Sequence, residues 1–195
     1  MGQLRELELL ERISNLLRNE LRGAAHRAGL QPVHLDVLGY LAQCNRYSDT
    51  PAGVTEFLGL TKGTVSQSIL RLEEKGLIDR QKDQVDGRIS HLKLTAAGRR
   101  VVRSATRRPL EEAVENALGP GASLVEQLED VLRALQNANE HRSFGVCGSC
   151  RFFRDEGPRS FRCGLTLEPL SVRDTALLCR EHEHPESTDS QELNG

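Results

Sequence analysis

The sequence predicts a mainly α-helical fold with a small β wing, followed by a small cysteine-rich module. Apolar residues recur every three or four positions over most of residues 3–139, which is the period of an amphipathic helix. The period changes to about two around residues 77–94, as expected of paired strands. Residues 141–184 lack strong periodicity, yet they hold four of the five cysteines and four of the five phenylalanines.

Capping and turn residues divide the helical part into elements. Thr50 and Thr61 are suited to cap helices, and Gly76 is suited to end one. Asp86-Gly87 is a hairpin signal between the two strand-like runs. The predicted helices cover 3–28, 32–44, 51–58, 61–75, 95–118 with a kink or break at Pro109, and 122–139, and the predicted strands cover 77–80 and 89–94.

The order helix, turn, helix, hairpin, helix is typical of a winged helix-turn-helix. In this fold the second helix enters the DNA major groove and its first residues reach base edges. Gln67 and Thr64 suit base contacts, whereas Lys62 and Arg71 suit phosphates. The candidate DNA-binding residues are Thr61, Lys62, Gly63, Thr64, Ser66, Gln67 and Arg71 on the helix and Arg88 on the wing.

Charge is distributed unevenly along the chain. Residues 61–110 contain twelve Lys and Arg against five Asp and Glu, a net charge of +7, whereas residues 1–60 carry −1 and residues 111–195 carry −8. Lys and Arg displace counterions from phosphates, so the basic middle indicates a surface that faces double-stranded DNA. On charge alone, a solvated charged face is an equal alternative.

Several spaced motifs resemble the MarR family of transcriptional regulators. They are Leu-Thr-Lys-Gly-Thr-Val-Ser at 60–66, Arg-Leu-Glu-Glu-Lys-Gly-Leu-Ile at 71–78, Asp-x-Arg in the wing and Leu-Thr-x-x-Gly at 94–98. The resemblance spans roughly residues 4–139 and is most specific over 54–98. It implies a homodimeric winged-helix regulator, most commonly a repressor. Two recognition helices on successive major grooves then predict a palindromic operator, and a small-molecule or redox effector is a candidate partner. The family wing usually reads Asp-Arg-Arg, whereas this chain has Asp86-Gly87-Arg88, which predicts weaker anchoring of the wing.

The first and last helices of the winged-helix part carry broad apolar stripes. These long outer helices need a partner to cover them, which supports dimerisation independently of the resemblance. The stripes consist of Leu4, Leu7, Leu10, Ile13, Leu17 and Leu21 on the first helix and Leu124, Leu128, Val131, Leu132 and Leu135 on the last.

The cysteines of the C-terminal module are spaced as metal ligands. Cys147, Cys150, Cys163 and Cys179 follow the pattern Cys-x2-Cys-x12-Cys-x15-Cys, and thiolates at such spacing suit Zn²⁺ or an iron–sulfur cluster. The spacing resembles that of high-potential iron–sulfur proteins, which favours a cluster of the 4Fe-4S type over structural zinc. Free buried cysteines or two disulfides are the alternative.

The other aromatic and histidine side chains of the module, and Cys44 outside it, are not expected to be metal ligands. Four aromatic rings could shield a cluster from water or form the small core of a zinc module. His182 and His184 follow the last cysteine and are expected at the surface rather than as ligands. Cys44 stands apart and is expected to be a buried apolar residue. The rings are those of Phe144, Phe152, Phe153 and Phe161.

If a cluster is present, its oxidation or loss is expected to loosen residues 147–179 and alter the packing of the dimer helices. An alternative function is a redox or electron-transfer module whose winged helix serves protein contacts.

No phosphate-binding Gly-rich loop, His-Glu-x-x-His sequence or nucleophile elbow is present, so an enzyme is not expected.

The chain shows no signal-peptide pattern and no apolar run long enough for a membrane span, so we expect a cytoplasmic protein. The predicted domains are a winged-helix domain over 1–140, a metal-stapled module over 141–184 and a disordered tail over 185–195.

Overall fold

A computed structural model describes residues 2–84, 86–105, 108–119, 123–138 and 144–185. Seven α-helices, two short 3₁₀ helices and seven short strands are found in these ranges. The helices are α1 (Gly2–Arg27), α2 (Pro32–Gln43), α3 (Pro51–Leu58), α4 (Lys62–Glu74), α5 (Ala96–Ser104), α6 (Arg108–Leu118) and α7 (Val125–Ala138). The strands are β1 (Ile78–Lys82), β2 (Ser90–Leu94), β3 (Gly145–Val146), β4 (Phe153–Gly157), β5 (Ser160–Cys163), β6 (Pro169–Leu170) and β7 (Leu178–Cys179).

The predicted winged helix is confirmed. The Thr50 side chain accepts a hydrogen bond from the Gly53 amide, and the Thr61 side chain accepts one from the Thr64 amide, so both residues cap their helices as expected. Strands β1 and β2 pair antiparallel, with Ile78 opposite Leu94. Strand β1 extends two residues beyond its predicted end at Arg80, because Lys82 still pairs with Ser90.

One hydrophobic core joins α2, α3, α4 and the wing. Its fully covered side chains include Leu38, Val54, Ile69, Leu72 and Leu92. Two glycines permit close backbone contacts around this core. A Cβ on Gly53 would lie 2.2 Å from the Ser48 carbonyl oxygen, and one on Gly98 would lie 2.1 Å from the Leu77 carbonyl oxygen. The glycine of the Leu-Thr-x-x-Gly motif is therefore required by the seating of α5 on the start of the wing.

The long outer helices present exposed apolar side chains. Helix α1 exposes Leu7, Leu9, Ile13, Leu16 and Leu17, and α7 exposes Val125, Leu128, Val131, Leu132 and Leu135. The predicted helix over 95–118 is divided into α5 and α6, and Pro109 is the second residue of α6. No helix in the described ranges is long and apolar enough to cross a membrane.

The cysteine-rich module contains two small sheets. Strands β4, β5 and β6 form an antiparallel three-stranded sheet, and β3 pairs antiparallel with β7. Strands of two to five residues are too short to show a clear alternation, which explains why the sequence did not reveal them. The predicted domain boundary at 140/141 and residues 186–195 of the predicted tail lie outside the described residues.

Candidate nucleic-acid interface and cysteine site

The start of α4 forms an exposed polar surface. All seven helix residues predicted to contact DNA are exposed, while Val65, Ile69 and Leu72 on the opposite face are buried. The Thr61 and Thr64 hydroxyls lie 2.9 Å apart, and Arg71 forms an ion pair with Glu74 at 2.8 Å. The helix thus presents the candidate residues on the face that does not pack on the core.

Arg88 stands at the tip of the wing with 91% of its side chain exposed. Its guanidinium donates to both carboxylate oxygens of Asp86, at 2.8 and 2.9 Å in the shortest contacts, and its amide also donates to Asp86. These hydrogen bonds lower the pKa of the Asp86 carboxyl. Asp86 therefore orients Arg88.

The base of the wing is held by a buried carboxylate that the sequence did not single out. Asp49 lies between α2 and α3, and its side chain contacts the His91 imidazole and the Lys93 ammonium of β2. Asp83 contacts the other ring nitrogen of His91 at 3.1 Å. These carboxylates raise the pKa of His91, with the Asp49 hydrogen bond as the largest cause and burial opposing it. Asp49 and Asp83 are 34 residues apart in the chain, so only the fold shows this cluster.

The four cysteines of the module line one cavity. The cavity has a volume of about 1350 Å³, and its walls also include the wing and the segment between α2 and α3. Burial raises the pKa of Cys147 to about 11, and the other three cysteines near it contribute in the same direction. The fold therefore brings all four candidate ligands together, on the side of the module that faces the wing.

Each cysteine is a free thiol. The disulfide alternative is thus not observed. Among the residues that the structure describes, no three His, Cys, Asp or Glu side chains are grouped closely enough to hold a metal ion in their present positions. The metal site accordingly stays a prediction, supported by convergence on one cavity but not by ligand geometry.

Two expectations about residues around the cysteines need correction. Phe144 does not belong with the cysteines, because it packs against Tyr40 and Phe57 of the winged helix, with ring centroids 6.2 and 5.2 Å apart. His182 is buried rather than at the surface, and its ring lies 3.2 Å from the Ser149 hydroxyl. A C-terminal residue that enters the core of an N-terminal domain has no local sequence signal.

The other aromatic and sulfur-containing residues agree better with the sequence. Phe152 and Phe153 line the cysteine cavity, and Phe161 packs on Phe153 at a centroid distance of 5.4 Å. Cys44 is buried, and burial raises the pKa of its thiol to about 12. Cys44 is thus an apolar core residue, as predicted, and an unreactive one.

Comparisons with known proteins agree on the fold. Residues 28–89 match a model of the MarR family. The S. aureus MepR–DNA complex is similar at 23% identity and a TM-score of 0.53, over 67% of this chain and 96% of that chain. CouR from Rhodococcus jostii bound to p-coumaroyl-CoA is similar at 24% identity and a TM-score of 0.51, over 65% and 88%. BldR from Sulfolobus solfataricus is similar at 22% identity and a TM-score of 0.50, over 70% and 99%.

No curated protein matches the chain in sequence. The structural likenesses show that the chain has the winged-helix fold of MarR-type regulators. About a third of the chain lies outside each of these structural matches, and the family model ends before the cysteine-rich module.

Proposed function

We propose that this protein is a MarR-type transcriptional regulator that binds double-stranded DNA and acts as a repressor. The observation that carries the proposal is the exposed polar surface of α4 beside a wing whose Arg88 is oriented by Asp86. In a winged helix these are the positions that reach the major groove and the neighbouring groove. The similar MepR structure is a complex with DNA. This function involves no enzymatic reaction.

A homodimer is part of the proposal. The apolar side chains on α1 and α7 form faces of a kind that soluble monomers rarely leave uncovered. A second copy of the chain would cover them and place two α4 helices on successive major grooves. A palindromic operator follows from that two-fold symmetry.

Salt-dependent binding to duplex DNA tests the regulator function. The full-length protein is first used to select duplexes from a random pool, and one selected duplex is labelled with a fluorophore. Its affinity for the protein should fall steeply as the salt concentration rises, because phosphate contacts release counterions. The selected sequences should be palindromic. Binding that is weak and independent of salt would instead favour the alternative in which the winged helix contacts proteins and the module transfers electrons.

An anionic small-molecule effector has a candidate cavity. A cavity of about 580 Å³ lies between the α1–α2 turn and α4, and its walls include His34, Gln67, Arg71 and Lys75. The size is in the range of ligand sites, and the basic side chains favour a negatively charged compound. A ligand bound there would touch the recognition helix directly. The similar CouR structure contains p-coumaroyl-CoA, which is an anionic ligand.

We also propose that Cys147, Cys150, Cys163 and Cys179 hold an iron–sulfur cluster, with structural zinc as the alternative. A zinc ion binds four sulfurs at about 2.3 Å, which draws the sulfurs close together. A four-iron cluster holds its four cysteines farther apart, because each binds a different iron atom. Four thiols that line one cavity suit either group, and the spacing resemblance to high-potential iron–sulfur proteins is what favours the cluster.

Metal analysis after anoxic purification tests this assignment. The cluster predicts iron and sulfide in equal amounts and a visible absorption band. Cys150→Ala should lose the iron, the sulfide and the absorption band. Cys44→Ala removes the cysteine outside the cavity and should keep all three. Stoichiometric zinc without iron would establish the zinc alternative, and protein without any metal would reject the site.

A further inference from the structure

The segment between α2 and α3, residues 44–50, is attached to the cysteine-rich module on one side. We call it the coupling segment. The Asn45 amide donates to the Leu178 carbonyl at 2.8 Å, and the Arg180 amide donates to the Ser48 hydroxyl at 2.9 Å. Cys44 also forms a parallel bridge with Leu178. Cys179, the last of the four cysteines, is thus flanked on both sides by residues bonded to the coupling segment.

Arg180 connects the module to the helix-turn-helix as well. Its guanidinium contacts both carboxylate oxygens of Glu56 on α3, at 2.7 and 2.9 Å. Only 18% of the Arg180 side chain and 32% of the Glu56 side chain are exposed. Both contacts are made by one guanidinium nitrogen, Nη2, and the ion pair is mostly shielded from water. The position of Cys179 is therefore tied to α3, the helix that precedes α4.

The other side of the coupling segment holds the wing. The Leu92 amide of β2 donates to the Asp49 carbonyl at 2.6 Å, and the Asp49 carboxylate contacts His91 and Lys93. Ser48, which accepts from Arg180, is the residue next to Asp49. The module and the wing thus bind adjacent residues of one segment, and the four cysteines line the cavity between module and wing.

We propose that the metal state of the four-cysteine site is transmitted to the DNA-binding surface through the coupling segment and the Arg180–Glu56 ion pair. The inference rests on the proposed function, both DNA binding and metal binding. A bound metal centre holds Cys179 and, with it, Leu178 and Arg180. Loss of the centre releases Arg180 from α3 and Ser48, which shifts the base of the wing and turns Arg88 away from DNA. The loaded protein is the form that binds DNA tightly, and DNA in return stabilises the loaded form.

This route differs from the one expected from sequence, in which the module acts on the dimer helices. The Arg180–Glu56 ion pair joins the module to α3, and the coupling segment lies between the module and the wing. The wing also borders the cavity that the four cysteines line. Lys93 and Arg88 are among the wing side chains that line this cavity.

The test compares DNA binding by loaded and stripped full-length protein. The protein is loaded with the metal that elemental analysis identifies, or stripped with a chelator, and titrated against the selected duplex. Stripping should weaken DNA binding by the wild type at least about fivefold, which is the lower end of the usual coupling between two sites. In Glu56→Gln, the ratio of the stripped to the loaded Kd for DNA should fall to less than about twofold. Glu56→Gln should still bind the metal, because Glu56 lies outside the cysteine site.

Glu20→Gln is the matched control. It makes the same change in an ion pair with Arg27 on α1, away from the module, and should retain the wild-type ratio. Hydrogen exchange provides a second measurement. Stripping should accelerate amide exchange in residues 44–50 and 78–94 of the wild type. In Glu56→Gln, stripping should accelerate exchange in residues 78–94 less than in the wild type.

Two outcomes would overturn the inference without touching DNA binding. One is equal affinity of loaded and stripped wild-type protein. The other is a full wild-type ratio in Glu56→Gln, which would rule out this route. Absence of DNA binding in every form, or of metal in the purified protein, would instead contradict the proposed function on which the inference rests.

Discussion

Arg88 is the side chain of the wing that we propose contacts DNA. It is almost fully exposed, yet Asp86 holds its guanidinium in one direction. Arg88→Ala should weaken binding to the selected duplex and reduce the slope of log affinity against log salt by about 0.9 if one phosphate contact is lost. Fluorescence anisotropy at several salt concentrations measures both. Arg5→Ala, an exposed arginine on α1, should leave the slope unchanged, and an unchanged slope in Arg88→Ala would remove Arg88 from the interface.

Gly87 marks the position where the MarR-type wing usually has a second arginine. A Cβ at Gly87 would meet no atom within 4 Å, so a side chain fits there. Gly87→Arg should therefore increase affinity for duplex DNA and steepen its salt dependence. The same anisotropy titration measures the change, and Gly87→Gln controls for the added bulk. Equal affinity of the two variants would show that this position does not face phosphates.

His91 makes the stability of the wing depend on pH. It faces Asp49 and Asp83, which raise its pKa, and Lys93, which opposes them. The folded state therefore favours the protonated ring, and this contribution is complete below the ordinary histidine pKa of about 6.5 and is lost as pH rises through the raised value. Denaturant unfolding across this range should show a smaller loss of stability with rising pH in His91→Gln than in the wild type. Parallel pH profiles would contradict the argument.

At the scale of the element, α4 has two faces with different tasks. Leu72 is fully buried in the core, whereas Leu70, two residues earlier, is 48% exposed. Leu72→Ala should lower the free energy of unfolding by about 2 to 5 kcal/mol, because it leaves a cavity. Leu70→Ala makes the same chemical change on the exposed face and should alter it by only about 0.5 kcal/mol. Equal losses in denaturant unfolding would mean that the exposed face is also covered.

The coupling segment is the element that sequence patterns did not reveal. It lies between two predicted helices, and Asn45 to Asp49 contains no apolar period. In the structure Asn45, Ser48 and Asp49 are buried, and each is bonded to a residue from another part of the chain, namely Leu178, Arg180 and His91. Buried polar groups with partners distant in sequence leave no local pattern.

At the scale of the whole molecule, the exposed apolar faces of α1 and α7 determine the expected assembly. Leu132→Asp places a charge in the α7 face and should shift a dimer to monomer in light scattering, because a buried charge without a partner is costly. Val172→Asp changes an equally exposed apolar residue of the cysteine-rich module and should leave the mass unchanged. A wild type that is monomeric at working concentration would contradict the proposed dimer.

The sequence by itself determined the winged helix. Its helix caps, its change from helical to strand period and its Asp86-Gly87 turn are local signals, and local signals survive without knowledge of the tertiary structure. They also placed seven of the eight candidate DNA-binding residues on the exposed face of α4 and its N-cap, and Arg88 on the wing. The cysteine spacing identified the candidate ligands in the same way.

Only the tertiary structure decided how the two parts of the molecule are joined. The contacts of Arg180 with Glu56 and of Phe144 with Tyr40 connect residues more than 100 positions apart. Such contacts depend on which distant segments of the chain pack together, and neither residue type nor spacing in the sequence predicts them. The fold thereby places the four cysteines beside the wing and assigns Asp49 and Ser48 to the junction between them.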